Sequence, residues 1–227
     1  MRQPPRFYHA LNGASRMNGT IYDAIMAFAE RRLLSELRRG LLAPLAGEIV
    51  EIGAGTGANF RYYAPQAHVI AFEPDVSMAN RAFHRATESS ACIEVRIAND
   101  TALREIPSKS LDAVVFPLVL CSIDDPRCTL TEARRVLKGS GTIAVLEHVR
   151  SPGTLGRIQD VLTPAWQRVF GGCQPNRSTK DLLEEAGFDT ERLVSQRISR
   201  VFLIQELLVG HAFAHAGEVL HAQVSAV

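Results

Sequence analysis

The 227-residue chain has almost no net charge, four cysteines and a single tryptophan, and each shortage narrows what it can be. A formal net charge of +1 supplies no general attraction for polyanions, and no basic stripe with interleaved aromatics marks a nucleic-acid surface. Nucleic acid is not an expected partner. Cys92, Cys121, Cys128 and Cys173 include no C-x-x-C pair. They read as reduced thiols of a cytoplasmic protein, not as a disulfide framework or a zinc site. No window reaches the roughly 18 apolar residues of a membrane span, and the stretch MRQPPRFYHALNG is too polar and proline-broken for a signal peptide. Contact with a membrane surface from solution stays open. There is no internal repeat and no long low-complexity linker. His211, His215 and His221 lie near the chain end, where order is usually poorest, so no metal is expected there.

What is present is an alternation of apolar strand and helix. Ile21, Ile25, Phe28, Leu33, Leu37 and Leu41 recur at helical spacing, which predicts an amphipathic helix over 20–42, ended by Pro44. Its Arg31, Arg32, Arg38 and Arg39 are expected on a solvated face. Strands are predicted at 48–52, 68–72, 93–98, 111–120 and 141–149. Between them lie helices in PDVSMANRAFHRATES and DPRCTLTEARRVLKGSG, the second stopping at Lys138 and Gly139. Such alternation implies a parallel, doubly wound α/β sheet. Residues 151–178, punctuated by Pro152, Pro164 and Pro175, read as irregular. A helix follows over 178–188, capped by Ser178 or Thr179, and then a closing pair of strands, which makes seven in all. One domain is expected: 1–44 a helical lid, 45–150 a cofactor-binding core, 151–216 a substrate-side segment with the closing strands, 217–227 a tail.

The stretch EIVEIGAGTGANFRYYAP, residues 48–65, is a strand, a turn with Gly53, Gly55 and Gly57, and a helix start. Glycine lets backbone N–H groups approach a ligand closely. A P-loop is excluded, because no lysine follows Gly57. A dinucleotide fingerprint is satisfied on paper, with Glu73 about 20 residues on for a ribose hydroxyl. Glu51, two residues before the turn, argues for a nucleoside without a pyrophosphate. Its carboxylate would repel phosphates and suits an ammonium group.

Taken together, VEIGAGTG, AFEPDVSMANRA and ANDTALREIPSKSLDAVVF resemble, in order and spacing, the motifs of class I S-adenosylmethionine-dependent methyltransferases. The resemblance implies a Rossmann-like fold and S-adenosyl-L-methionine as cofactor. Glu51, Gly53, Ala54, Gly55, Thr56, Gly57 and Asn59 would hold its methionine part. Glu73 would take the ribose hydroxyls, Pro74 and Met78 would pack on the nucleoside, and Asn99, Asp100 and Thr101 would meet the adenine edge. Either Asn99 or Asp100 can make that last contact. Pro117 and Leu118 would close the pocket, and Tyr22 would cover it as part of a lid.

Three further pieces, FPLVLCSI, EHV and PAWQRVFGGC, resemble the methyltransferase-like protein 7 type, the alkyl thiol methyltransferases, beside the quinone and phospholipid methyltransferases. Members carry a hydrophobic N-terminal anchor that this sequence does not show. That favours a small, soluble, hydrophobic thiol as acceptor. Leu118, Val119, Trp166, Val169 and Phe170 would form an apolar pocket with Cys121 in its wall, and Cys173 either lines the entrance or packs. A thiol is already partly ionised near neutral pH, so His148 and Arg177 would suffice to favour its thiolate. Equally, both fit local structural roles. Methylation of a quinone, phenol or lipid head group, non-catalytic cofactor binding, and a nicotinamide-dependent oxidoreductase are the alternatives.

Overall fold

The computed structural model describes residues 34–198 and 203–214. Most of the predicted lid, Tyr22 included, and His215 and His221 lie outside them. The elements, in order, are α1 (Ser35–Leu42), β1 (Gly47–Ile52), β2 (Ala67–Phe72), α2 (Val76–Ala86), β3 (Cys92–Arg96), β4 (Leu111–Pro117), α3 (Pro126–Val136), β5 (Leu137–Val149), α4 (Gly153–Val169), α5 (Thr179–Glu185), β6 (Phe188–Asp189), β7 (Leu193–Arg197) and β8 (Glu206–Ala214). They form one sheet in the order β3-β2-β1-β4-β5-β8-β6, with β7 also on β8. Strands β1 to β5 pair in parallel, and β8 runs antiparallel to β5.

The sheet has eight strands where seven were expected, for a local reason. Both β6 and β7 pair with β8 on the edge that β5 leaves free, Phe188 opposite Ala214 and Leu193 opposite Gly210. They are one interrupted strand occupying a seventh position.

Side-chain alternation along the strands builds two cores. Ile49, Val69, Val115 and Leu146 face one side with Leu41 and Leu42 of α1 and Ala79 and Ala82 of α2. Val50, Phe72, Val114 and Val145 face the other with Leu130, Ala133 and Val136 of α3 and Leu183 of α5. The chain moves outward from β1 to β2 and β3, then returns to place β4 on the other side of β1. The crevice at the carboxyl ends of β1 and β4 is therefore the topological switch point, where such sheets bind ligands.

Four local expectations are corrected. Helix α3 ends at Val136, and Lys138 and Gly139 belong to β5, because Leu137 already pairs with Leu111. Strand β4 stops at Pro117, where Leu118 turns to φ 61° and a 3₁₀ turn over Leu120–Ser122 follows. Ser178 is the N-cap residue of α5, but neither its side chain nor that of Thr179 makes a capping hydrogen bond. Residues 153–169, expected to be irregular, form the 17-residue α4 with Pro164 inside it. Its buried positions are Gly156, Gln159 and Thr163, so the helix hides a small and polar face instead of an apolar stripe. Its Val161 and Val169 are exposed, and among the described residues no helix is long and apolar enough to cross a membrane.

Because Leu130 is fully buried under the sheet and Val161 is 76% exposed, Leu130→Ala should lower unfolding free energy by about 2–5 kcal/mol. Val161→Ala should change it by less than about 0.5 kcal/mol. Urea unfolding midpoints compare the two.

Candidate active site

Three glycines shape the turn after β1. Gly53, Gly55 and Gly57 have φ of 70°, 58° and 80°, in the left-handed region that side chains disfavour. A Cβ on Gly53 would run into the Val119 side chain, and one on Gly57 would come within 2.8 Å of the Phe60 ring. Gly55 differs: a Cβ there would meet nothing within 4 Å. The turn is thus closed against β4 on one side and open at its middle. Glu73, at the end of β2, latches it, accepting Gly55 N–H at 2.8 Å on Oε2 and Asp75 N–H at 2.8 Å on Oε1.

Beneath the turn sits a polar network that corrects the reading of Glu51. The carboxylate is fully buried and does not line an open crevice. Asn59 Nδ2 donates to its Oε1 at 2.8 Å and Tyr63 hydroxyl to its Oε2 at 2.5 Å. Arg38 Nη1 donates to Asn59 Oδ1, so Arg38 is buried, not solvated as expected. Burial raises the Glu51 pKa to about 7, against those hydrogen bonds and the Arg38 charge. Neither Arg38, expected on a solvated face, nor Tyr63 was read from the sequence as part of the site, although Tyr63 stands within the quoted stretch.

On the adenine side, Asn99 caps the 3₁₀ turn over Asp100–Glu105, accepting from Thr101 N at 3.2 Å and Thr101 Oγ1 at 2.6 Å. Asp100 accepts from Thr129 Oγ1 of α3. That engagement leaves Asn99 the more exposed of the two. Pro74 is exposed; Met78 is half-buried in the first turn of α2 and belongs to neither core. Ala54 and Thr56 are buried within the turn, where Arg85 donates to the Thr56 carbonyl and hydroxyl.

Across the crevice, the end of β4 is held by a residue the sequence reading missed. Glu147 on β5 is fully buried, and its Oε1 accepts Val119 N–H at 2.6 Å and Leu120 N–H at 2.7 Å. Leu118, half-buried, enters this turn in the left-handed region, and Pro117 beside it is buried. Burial raises the Glu147 pKa to about 7, with His148 and the backbone N–H groups working against it. Glu147 Oε2 has no hydrogen-bond partner.

Beyond Glu147 the fold gathers Cys121, His148 and Cys173, whose ligating atoms lie within 4.8 Å of one another. His148 Nε2 is 3.2 Å from Cys173 Sγ, and Trp166 Nε1 donates to the same sulfur at 3.3 Å. The hydrogen bond from Cys121 is the main cause that moves the Cys173 thiol down, with His148 and Trp166 adding to it and burial opposing. Burial opposes protonation of His148, yet Cys173 and Glu147 raise its pKa overall. Trp166 and Phe170 stack with centroids 4.0 Å apart. Val169 is 67% exposed and leaves the expected pocket; Phe170, the C-cap residue of α4, is 43% exposed and keeps its ring stacked on Trp166. Arg177 is buried, its Nη1 donating to the Leu120 carbonyl and, at 2.7 Å, to the Ile123 carbonyl. Its guanidinium is committed to that turn, which makes it a positioning residue. Gln159 of α4 fixes the facing loop, donating to the carbonyls of Pro175 at 3.1 Å and Leu203 at 2.8 Å.

A glycine turn and an acidic strand end at the switch point, facing a wall of sulfur, imidazole and indole, define a nucleoside-dependent transferase crevice. A model of the methyltransferase domain matches residues 50–145. The human thiol S-methyltransferase TMT1A is 32% identical over 202 residues, covering 86% of this chain and 81% of its own. Human thiol S-methyltransferase TMT1B is 33% identical over 175 residues, covering 75% and 72%. A crystal structure of an S-adenosylmethionine-dependent methyltransferase from Aquifex aeolicus shares the fold, with a TM-score of 0.59 at 15% identity over 88% of this chain and 100% of that one. The chain belongs to the class I S-adenosylmethionine-dependent methyltransferases, near the branch that holds TMT1A and TMT1B. S-adenosylmethionine is its cofactor.

The two buried carboxyls set a pH dependence. Each holds its proton to about pH 7 in the folded chain and loses it near 4.5 when free. The stability these two groups contribute is therefore fully present below about 4.5 and is lost as pH rises through about 7. Glu147→Gln keeps an acceptor for Val119 and Leu120 and removes the ionisation. Unfolding free energy should decline less between pH 5 and 7.5 than in the wild type, by at most about 1.4 kcal/mol for each tenfold fall in proton concentration across that window. Urea titrations at the two pH values check it.

Proposed function

We propose that the protein transfers a methyl group to a small hydrophobic thiol. The observation that carries this reading is the 3.2 Å contact between His148 Nε2 and Cys173 Sγ. The imidazole on the acceptor side of the sheet is engaged with sulfur instead of being directed, as a general base, at an approaching hydroxyl. An acceptor that ionises with little help suits such a wall, and a thiol does so near neutral pH. The names of TMT1A and TMT1B, both thiol S-methyltransferases, support the same class of acceptor.

S-adenosylmethionine supplies an electrophilic methyl group. The acceptor thiol gives its proton to solvent, its sulfur forms the new S–C bond, and the electron pair of the broken bond returns to the donor sulfur. The chain has mainly to align and to exclude water. Glu73 would hold the ribose hydroxyls and Asn99 the adenine edge. The open middle of the turn at Gly55 gives the room that close backbone approach needs, and Met78, outside both cores, would flank the nucleoside. Trp166 and Phe170 would shelter the acceptor's apolar part, with Cys121 behind it. The guanidinium of Arg177, held at the Leu120–Ile123 turn, would place positive charge on the side of the crevice where Cys121 and Cys173 lie.

Mass spectrometry of purified protein with S-adenosylmethionine and a panel of apolar thiols, each paired with its hydroxyl and amine analogue, tests the proposal. A gain of one methyl on thiols alone is expected. Transfer only to phenols or quinols would replace it with oxygen or carbon methylation.

A further inference from the structure

The trio Cys121, His148 and Cys173 comes from three segments with no metal-binding spacing in the sequence, and the fold brings them together. Cys121 follows β4, His148 ends β5, and Cys173 lies in the loop after α4. All three are at least nine-tenths buried, and nothing in the transfer reaction itself requires two cysteines beside a histidine. We infer that they form a site for one soft divalent cation of the zinc type, bound by two thiolates and one imidazole, with its fourth position open to the sulfur of the acceptor.

Geometry and chemistry both support the site. Ligand bonds of about 2.3 Å to sulfur and 2.0–2.1 Å to nitrogen place tetrahedral ligand atoms about 3.5 Å apart. The Cys173–His148 pair already stands at 3.2 Å, and the whole trio lies within 4.8 Å. Two sulfurs and one imidazole select a soft or borderline cation over magnesium or calcium. Trp166 Nε1 donates to the Cys173 sulfur, an outer contact of the kind that tunes a thiolate ligand. The neighbouring backbone is fixed, with Gln174 N–H donating to the Cys121 carbonyl at 2.9 Å and Arg177 holding the Leu120 and Ile123 carbonyls. Three protein ligands leave one tetrahedral position, as in zinc sites that act on a substrate.

The balance of charge and protons is simple. On binding, both cysteine thiols release protons to solvent, and a dication with two thiolates and a neutral imidazole is uncharged. An acceptor thiol entering the fourth position releases a third proton and makes the site a monoanion. The Arg177 guanidinium, which interacts electrostatically with both cysteines, offsets that charge. After methyl transfer the acceptor is a neutral thioether, a poorer ligand, and leaves. This role rests on the thiol reading; the metal site itself does not.

Cobalt(II) is the probe. Purified full-length chain, stripped with a chelator under reducing conditions, is titrated with cobalt(II) and then zinc(II). One equivalent of cobalt should give thiolate-to-metal charge-transfer and four-coordinate d–d bands, displaced by zinc. Cys121→Ser, Cys173→Ser and His148→Gln should each weaken cobalt binding more than about tenfold, whereas Cys92→Ser, at an exposed position, should not. In the unmutated protein zinc should shield Cys121 and Cys173, but not Cys92, from alkylation mapped by mass spectrometry. That second measurement is independent of whether any variant folds. Absence of the bands, or alkylation of Cys121 and Cys173 unchanged by zinc, overturns the site. Bands that ignore added thiol overturn the open fourth position. A thiol that shifts the bands yet is never methylated supports the site and overturns thiol S-methylation instead.

Discussion

The close approach of Gly53 to Val119 is the constraint on which the site depends. At the switch point the turn after β1 and the turn after β4 share space that a single Cβ on residue 53 would fill. Four sets of contacts secure these two turns. Glu73 latches the first through Gly55 N–H, and Glu51 with Asn59, Tyr63 and Arg38 underpins it. Glu147 anchors the second through two N–H groups, and Arg177 holds its carbonyls from the other side. Two fully buried carboxyls with pKa values near 7 are an expensive way to fix loops. Glu147 places backbone directly through two N–H groups, whereas Glu51 ties together the side chains of Asn59 and Tyr63 beneath the glycine turn.

The two carboxylates divide the labour. Glu51 lies on the cofactor side and has both oxygens occupied by side-chain donors. Glu147 lies on the acceptor side and keeps one oxygen without a partner. One half of the crevice is therefore closed and self-satisfied, suited to a fixed nucleoside. The other retains an unmet acceptor on the strand that carries His148.

Much of this was legible in the sequence where the signal is local. Short, β-branched apolar runs marked β1, β2 and β4, and three glycines within five residues marked the turn, because strands buried on both faces and turns with positive φ both leave a local imprint on the sequence. Helix α4 was hidden because the face it buries is Gly156, Gln159 and Thr163, which no apolar periodicity reveals. Arg38 looked solvated because arginine usually is, and only the fold brings Asn59 to it. Glu147 and the Cys121–His148–Cys173 trio depend on β4, β5 and the loop after α4 converging, which spacing along the chain does not encode.

Calorimetric binding of S-adenosylhomocysteine to Gly53→Ala and to the double variant Gly53→Ala/Val119→Ala tests the central constraint most directly. With folding confirmed by circular dichroism, the single variant should lose binding, and the double variant should regain part of it, since removing the Val119 methyls relieves the overlap but not the strain at φ 70°. Undiminished binding by Gly53→Ala would contradict the account, because the crevice would then not depend on the approach of those two turns.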